Sequence, residues 1–132
     1  MKIDATAFDD VVGNSYAGIS DTATLSFTTG DTIDPALTST TPADNATVIA
    51  VDSSIVLTFS EIVDVESGNI VIYKSSDDSV IETIDVNSDQ VTGSGTSQIT
   101  IDPSVTLEST TEYYVKIDAT AFDDPFSNSY AG

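Results

Sequence analysis

The residues best suited to chemistry in this chain are oxygen donors. "FDDVVGN" supplies Asp9, Asp10 and Asn14, and "FDDPFSN" supplies Asp123, Asp124 and Asn128. Glu61 closes the run "IVLTFSE", and Asp44 and Asn45 sit in "PADN". Hard divalent cations take about six to eight such oxygens from Asp, Glu, Asn and backbone carbonyls. Calcium is therefore the cofactor these residue types suggest. The sequence lacks the D-x-D-x-D-G pattern of an EF-hand loop, so a site would have to be composite. Glu61 would meet Asp123, Asp124 and Asn128, while Asp9, Asp10, Asn14, Asp44 and Asn45 offer further ligands. The competing reading is that these residues serve turns, where Asp and Asn side chains bond nearby backbone.

Catalysis has little to work with. The chain has no histidine and no cysteine, which removes the commonest general base and the thiol nucleophile. It also lacks the nucleophile elbow, the phosphate-binding loop and the zinc-protease signature. Asp9 and Asp10 are adjacent and so point to opposite faces of an extended chain. No enzyme activity is expected.

Charge narrows the partners. Three basic residues face 22 acidic ones, for a net charge of −19. Such a surface repels phosphate backbones and anionic lipids, so neither nucleic-acid binding nor membrane insertion is expected. It also repels itself unless cations collect on it. No run has the length of a transmembrane helix. The first 20 residues lack the basic and apolar regions of a signal peptide.

The acidic loops belong to a repeat. Lys2–Gly18 and Lys116–Gly132 align without a gap and differ only at Val11/Pro125, Val12/Phe126 and Gly13/Ser127. The offset is 114 residues (116 − 2), in the range of tandem immunoglobulin-like modules. The first copy runs on into "DTATLSFTT", which alternates as a strand should. Residues 1–30 thus read as the C-terminal strands of a preceding repeat, 31–41 as an inter-repeat junction, and 42–132 as the main module without its last strand.

The elements that position these loops are strands. Ile55, Leu57 and Phe59 alternate with Val56 and Thr58. "NIVIYK", "SVIETIDV" and "SQITID" continue the pattern. In "EYYVKIDAT", Tyr113, Val115 and Ile117 are predicted to point inward. Turn signals separate the runs, which predicts an all-β, Ig-like antiparallel sandwich of about seven strands with Greek-key connections. Leu107 stands six residues ahead of Tyr113, the layout of a tyrosine corner.

"TPADN", "LTFSE", "LESTTEYYVKID", "FDD", "NSYAG" and "LSFTT" together resemble the bacterial Ig-like domain of S-layer proteins and large tandem-repeat adhesins. That resemblance implies a secreted or cell-surface β-sandwich, used as a spacer or adhesion module beside neighbouring repeats. The expected function is a non-catalytic structural module, stiffened by calcium. The alternatives are a module that binds a glycan or protein, and an accessory domain of a secreted enzyme. Residues 22–29 are expected to complete the missing strand, within the chain or by a head-to-tail swap between copies. The linker "GDTIDPALT" reaches about 30 Å when extended, which makes closure within one chain tight unless "LTSTT" is released.

Overall fold

The computed structural model describes all residues, Met1–Gly132, and they form two compact units, Met1–Gly30 and Asp31–Gly132.

The larger unit is all-β and antiparallel, the class that the alternation predicts. Eight strands are present: β1 (Leu37–Thr41), β2 (Ile55–Val65), β3 (Asn69–Lys74), β4 (Ser79–Asp85), β5 (Val91–Thr92), β6 (Thr96–Ile101), β7 (Tyr113–Ile117) and β8 (Phe122–Asp123). One sheet has the order β1-β2-β6-β5, with β8 paired to the end of β2. The other has the order β4-β3-β7. The chain changes sheet between β2 and β3, between β4 and β5, between β6 and β7, and again between β7 and β8. Each sheet therefore mixes strands distant in sequence, and the core forms only when both assemble.

Alternate residues of both sheets make that core. Leu57, Phe59, Val63, Ile99 and Ile101 meet Ile70, Ile72 and Ile84, and Phe122 fills the space beside β2. Phe59 packs on Phe122 at 5.4 Å between ring centroids and edge-on to Tyr130 at 5.2 Å. Burial of such side chains is the main favourable contribution to folding. A tyrosine corner is present: the Glu108 N–H donates to the Tyr113 hydroxyl at 2.9 Å.

β1 is the sheet's polar edge, and it occupies residues that read from sequence as junction. "LTSTT" carries no apolar alternation because it covers no core; four of its five residues are exposed. Backbone pairing to β2 holds it, from Leu37↔Phe59 to Thr41↔Val56, and the Thr38 hydroxyl adds a bond to Thr58 O at 2.8 Å.

The smaller unit departs from expectation. "KIDATA" forms a single antiparallel rung, Ile3↔Ile19, and residues 22–29 form no strand. Alternation makes a strand possible, but a ladder needs a neighbour to receive its N–H and C=O groups. Leu25–Thr29 have no backbone hydrogen bond, and Phe27 is 75% exposed.

Candidate functional site

Three carboxylates converge beside the second half of β2. Asp31, Glu61 and Asp124 each place a carboxylate oxygen within 4.8 Å of the other two. Glu61 lies on β2, in the row of alternate residues that includes Phe59 and Val63. Asp124 follows β8, and the Asp64↔Asp123 pairing fixes it against the same strand. Asp31 lies just ahead of an anchored stretch. Pro35 is buried there, Ala36 N–H donates to the Ser60 hydroxyl at 3.0 Å, and Ser60 N–H returns to Ala36 O at 2.8 Å.

Local hydrogen bonds hold Asp124. Its Oδ1 accepts the N–H groups of Phe126 and Asn128, each at 2.8 Å, and its Oδ2 accepts the Asn128 side-chain amide at 2.7 Å. Asn128 also reaches Asp31 O at 3.4 Å. Burial pushes the Asp124 carboxyl up, but the bonds from Asn128 and Phe126 outweigh it and hold the group below its ordinary range. Glu61 goes the other way. Desolvation raises it, and the negative charges of Asp31, Asp124 and Asp34 raise it further.

The first copy of the loop has the same internal wiring. Asp10 accepts Val12 N–H at 2.9 Å, Asn14 N–H at 2.8 Å and the Asn14 amide at 2.7 Å. The side-chain bond from Asn14 is the largest cause holding Asp10 below its usual range. Gly13 and Ser127 both take the left-handed region, at φ 86° and 68°. That conformation suits glycine and strains serine. The environments differ sharply: Phe122 is 0% exposed, whereas its counterpart Phe8 is 60% exposed.

Of the residues singled out from sequence, Glu61 and Asp124 join the cluster and Asn128 braces it. Asp123 sits in β8, bridged to Ser129. Asp9, Asp10 and Asn14 lie in the smaller unit, where no third carboxylate joins them. Asp44 and Asn45 form an exposed turn, bonded to each other at 2.8 Å. Sequence reasoning missed Asp31. Its signal was its place in an acidic stretch, "GDTIDP", directly before a strand that pairs with β2.

Chemically, the cluster can hold a cation. Each of the three residues offers one carboxylate oxygen to such a site. Hard divalent ions accept oxygen sets of this kind. A second polar feature lies on the β3–β7 sheet, where Tyr73 and Tyr114 stack at 4.9 Å and 7°. Lys116 lies over both rings, 5.3 and 5.7 Å from their centroids.

Comparison with known proteins agrees with this architecture. The family model described as bacterial Ig-like domain matches residues 31–132, the whole larger unit. The chain belongs to the bacterial Ig-like domain family. The match begins at Asp31, so the family's domain includes both β1 and the first carboxylate of the cluster. No curated protein and no solved structure gives a significant match.

Proposed function

We propose that this bacterial Ig-like domain is a non-catalytic spacer module of a secreted or cell-surface tandem-repeat protein. The observation that carries this reading is the repeat itself. A loop with the same hydrogen-bond wiring recurs 114 residues apart, as expected of successive modules. The core is filled by apolar side chains, and the chain has no histidine or cysteine to serve as general base or thiol nucleophile. A ligand screen on the 132-residue chain tests the reading. A spacer binds no glycan or protein in the screen. Specific glycan or protein capture would favour an adhesion module, with the Tyr73–Tyr114 pair as the first place to look.

The same reading assigns calcium to Asp31, Glu61 and Asp124, with Asn128 holding Asp124 in place. The support is the convergence of three carboxylates, with Glu61 raised first by desolvation and then by the charges of Asp31 and Asp124. Bound cations remove that repulsion and stabilise the folded form by mass action. Calorimetry with chelator and with millimolar calcium should show the main transition rising with calcium. The rise should vanish in Asp31→Asn/Glu61→Gln. An unchanged transition at millimolar calcium would remove the metal from the proposal and leave the spacer standing.

A further inference from the structure

Tyr73 and Tyr114 stand directly opposite each other across β3 and β7. Side chains so placed have Cβ atoms about 4.5–5.5 Å apart. Ile72 points into the core, so the two phenols rise from the outer face of the sheet, where each is half-buried. Their rings are nearly parallel, with centroids 4.9 Å apart. Burial raises the Tyr114 pKa first, the hydrogen bond to Asp78 adds to it, and the nearby Tyr73 phenol contributes. The hydroxyl ends of the two rings are therefore neighbours. The other tyrosines are placed differently. Tyr16 lies against Phe8, Tyr130 against Phe59, and the Tyr113 hydroxyl belongs to the corner.

Two charged groups flank the pair. The Tyr114 hydroxyl donates to Asp78 Oδ1 at 3.0 Å. Asp78 is fixed in the turn after β3, where its N–H donates to Lys74 O at 3.0 Å. The Lys116 ammonium lies over both rings, at 5.3 and 5.7 Å from their centroids. Lys74 is paired with Glu108, but no carboxylate stands within salt-bridge distance of Lys116. A positive charge over a ring is favourable for the neutral phenol and unfavourable for a radical cation. An electron therefore leaves these rings together with a proton, and Asp78 is placed to accept one.

We propose that Tyr73 and Tyr114 form a site of oxidative cross-linking, at which a dityrosine bond staples β3 to β7. A one-electron oxidant, the activated form of a peroxidase, takes one electron from each phenol. Each hydroxyl gives up its proton as the electron leaves, Tyr114 to Asp78 and Tyr73 to water. The two phenoxyl radicals couple by a C–C bond between ring carbons ortho to the oxygens. Each joined carbon then loses its hydrogen as a proton, and each oxygen regains one. The net loss is two electrons and two protons, which hydrogen peroxide takes up to become two waters. The bond would close a segment of 41 residues (114 − 73) and restrict the unfolded chain as a disulfide does. The chain has no cysteine with which to make a disulfide. This inference goes beyond the spacer reading and stands or falls without it.

The test is oxidation of the full 132-residue chain, dilute and at neutral pH, with hydrogen peroxide and a peroxidase. Dityrosine fluorescence should grow while the protein stays monomeric, because acidic copies repel one another. The intact mass should fall by two hydrogens, and peptide mapping should join β3 to β7 through Tyr73 and Tyr114. The melting temperature should rise. Tyr73→Phe and Tyr114→Phe each keep the ring and should abolish the bond; Tyr16→Phe should leave it. Tyr16 is 43% exposed, more than either member of the pair, so exposure alone would direct coupling there. Asp78→Asn should slow coupling several-fold, and Asp78→Glu should restore much of the rate. Asp78 is exposed, so neither change disturbs the core. An unchanged rate in Asp78→Asn overturns the assigned proton acceptor. Coupling mainly between chains, or coupling that survives Tyr114→Phe at the wild-type rate, overturns the site. A folded chain that is oxidised elsewhere and never gains the Tyr73–Tyr114 bond overturns it too.

Discussion

Asn128 donates both its backbone N–H and its side-chain amide to Asp124, at 2.8 and 2.7 Å. Asn14 does the same to Asp10 at the same two distances. Only the surroundings differ, since Asp124 is 3% exposed and Asp10 is an exposed residue of the smaller unit. Removing a buried acceptor leaves its donors without water to replace it. Asp124→Ala should therefore lower the main unfolding transition clearly, and Asp10→Ala should leave it in place. Scanning calorimetry of both variants checks this; equal shifts would contradict it.

Ser127 gives a second expectation. Its left-handed φ of 68° strains a residue with a side chain, whereas Gly13 holds the same turn in the first copy. Ser127→Gly should stabilise the larger unit by about 0.5–1 kcal/mol, the relief of strain less the added freedom of glycine when unfolded. Denaturant midpoints measure the difference. An unchanged or lower midpoint would show that the turn carries no strain.

Glu61 sets a pH dependence. Its pKa is raised in the folded protein, by desolvation first and then by its acidic neighbours. Between the ordinary glutamate value and the raised one, the folded form keeps a proton that the unfolded form has lost. Stability from this group therefore falls as pH rises through that window, and acidification restores it. In metal-free buffer Glu61→Gln should be more stable than wild type at neutral pH, and the advantage should vanish below the glutamate range. Melting temperatures of both proteins from mildly acidic to neutral pH would reveal it. Parallel curves would count against the repulsion.

Tyr113 tests the corner. Phenylalanine keeps the ring and removes the acceptor for Glu108 N–H. A loss of about 0.5–1.5 kcal/mol is expected for one such bond. Equilibrium denaturation of Tyr113→Phe should show it, with no change of slope.

The comparison of sequence and structure follows from where each signal resides. β2, β3, β4, β6 and β7 were legible because their alternate residues face a core. β1, "LTSTT", reads from sequence as an edge strand within the 31–41 junction, and its place in the sheet is specified by its neighbour's backbone rather than by its own pattern. β5 and β8 are two residues long, too short to carry a period. Residues 22–29 show the converse: Leu25 and Phe27 make a strand pattern, but no ladder partner stands beside them in the single chain. Within the acidic site, Glu61 and Asp124 were visible as strand-end and loop acids. Asp31 lies 30 residues from Glu61 and 93 from Asp124 in sequence, and only the packing of Pro35 and the pairing of Ala36 with Ser60 bring it alongside.

The proximity of Asp31 and Asn128 has a mechanical consequence. The chain comes into the larger unit at Asp31 and completes its exit loop at Asn128, and the two touch across a separation of 97 residues. Tension applied at these points would act on that contact before it loads the sheets. Opening it and unravelling what lies behind it would release about 3.3–3.6 Å of contour per residue. An ion shared by Asp31, Glu61 and Asp124 would lock that loop shut, so the ion's affinity would set the force at which the module begins to lengthen.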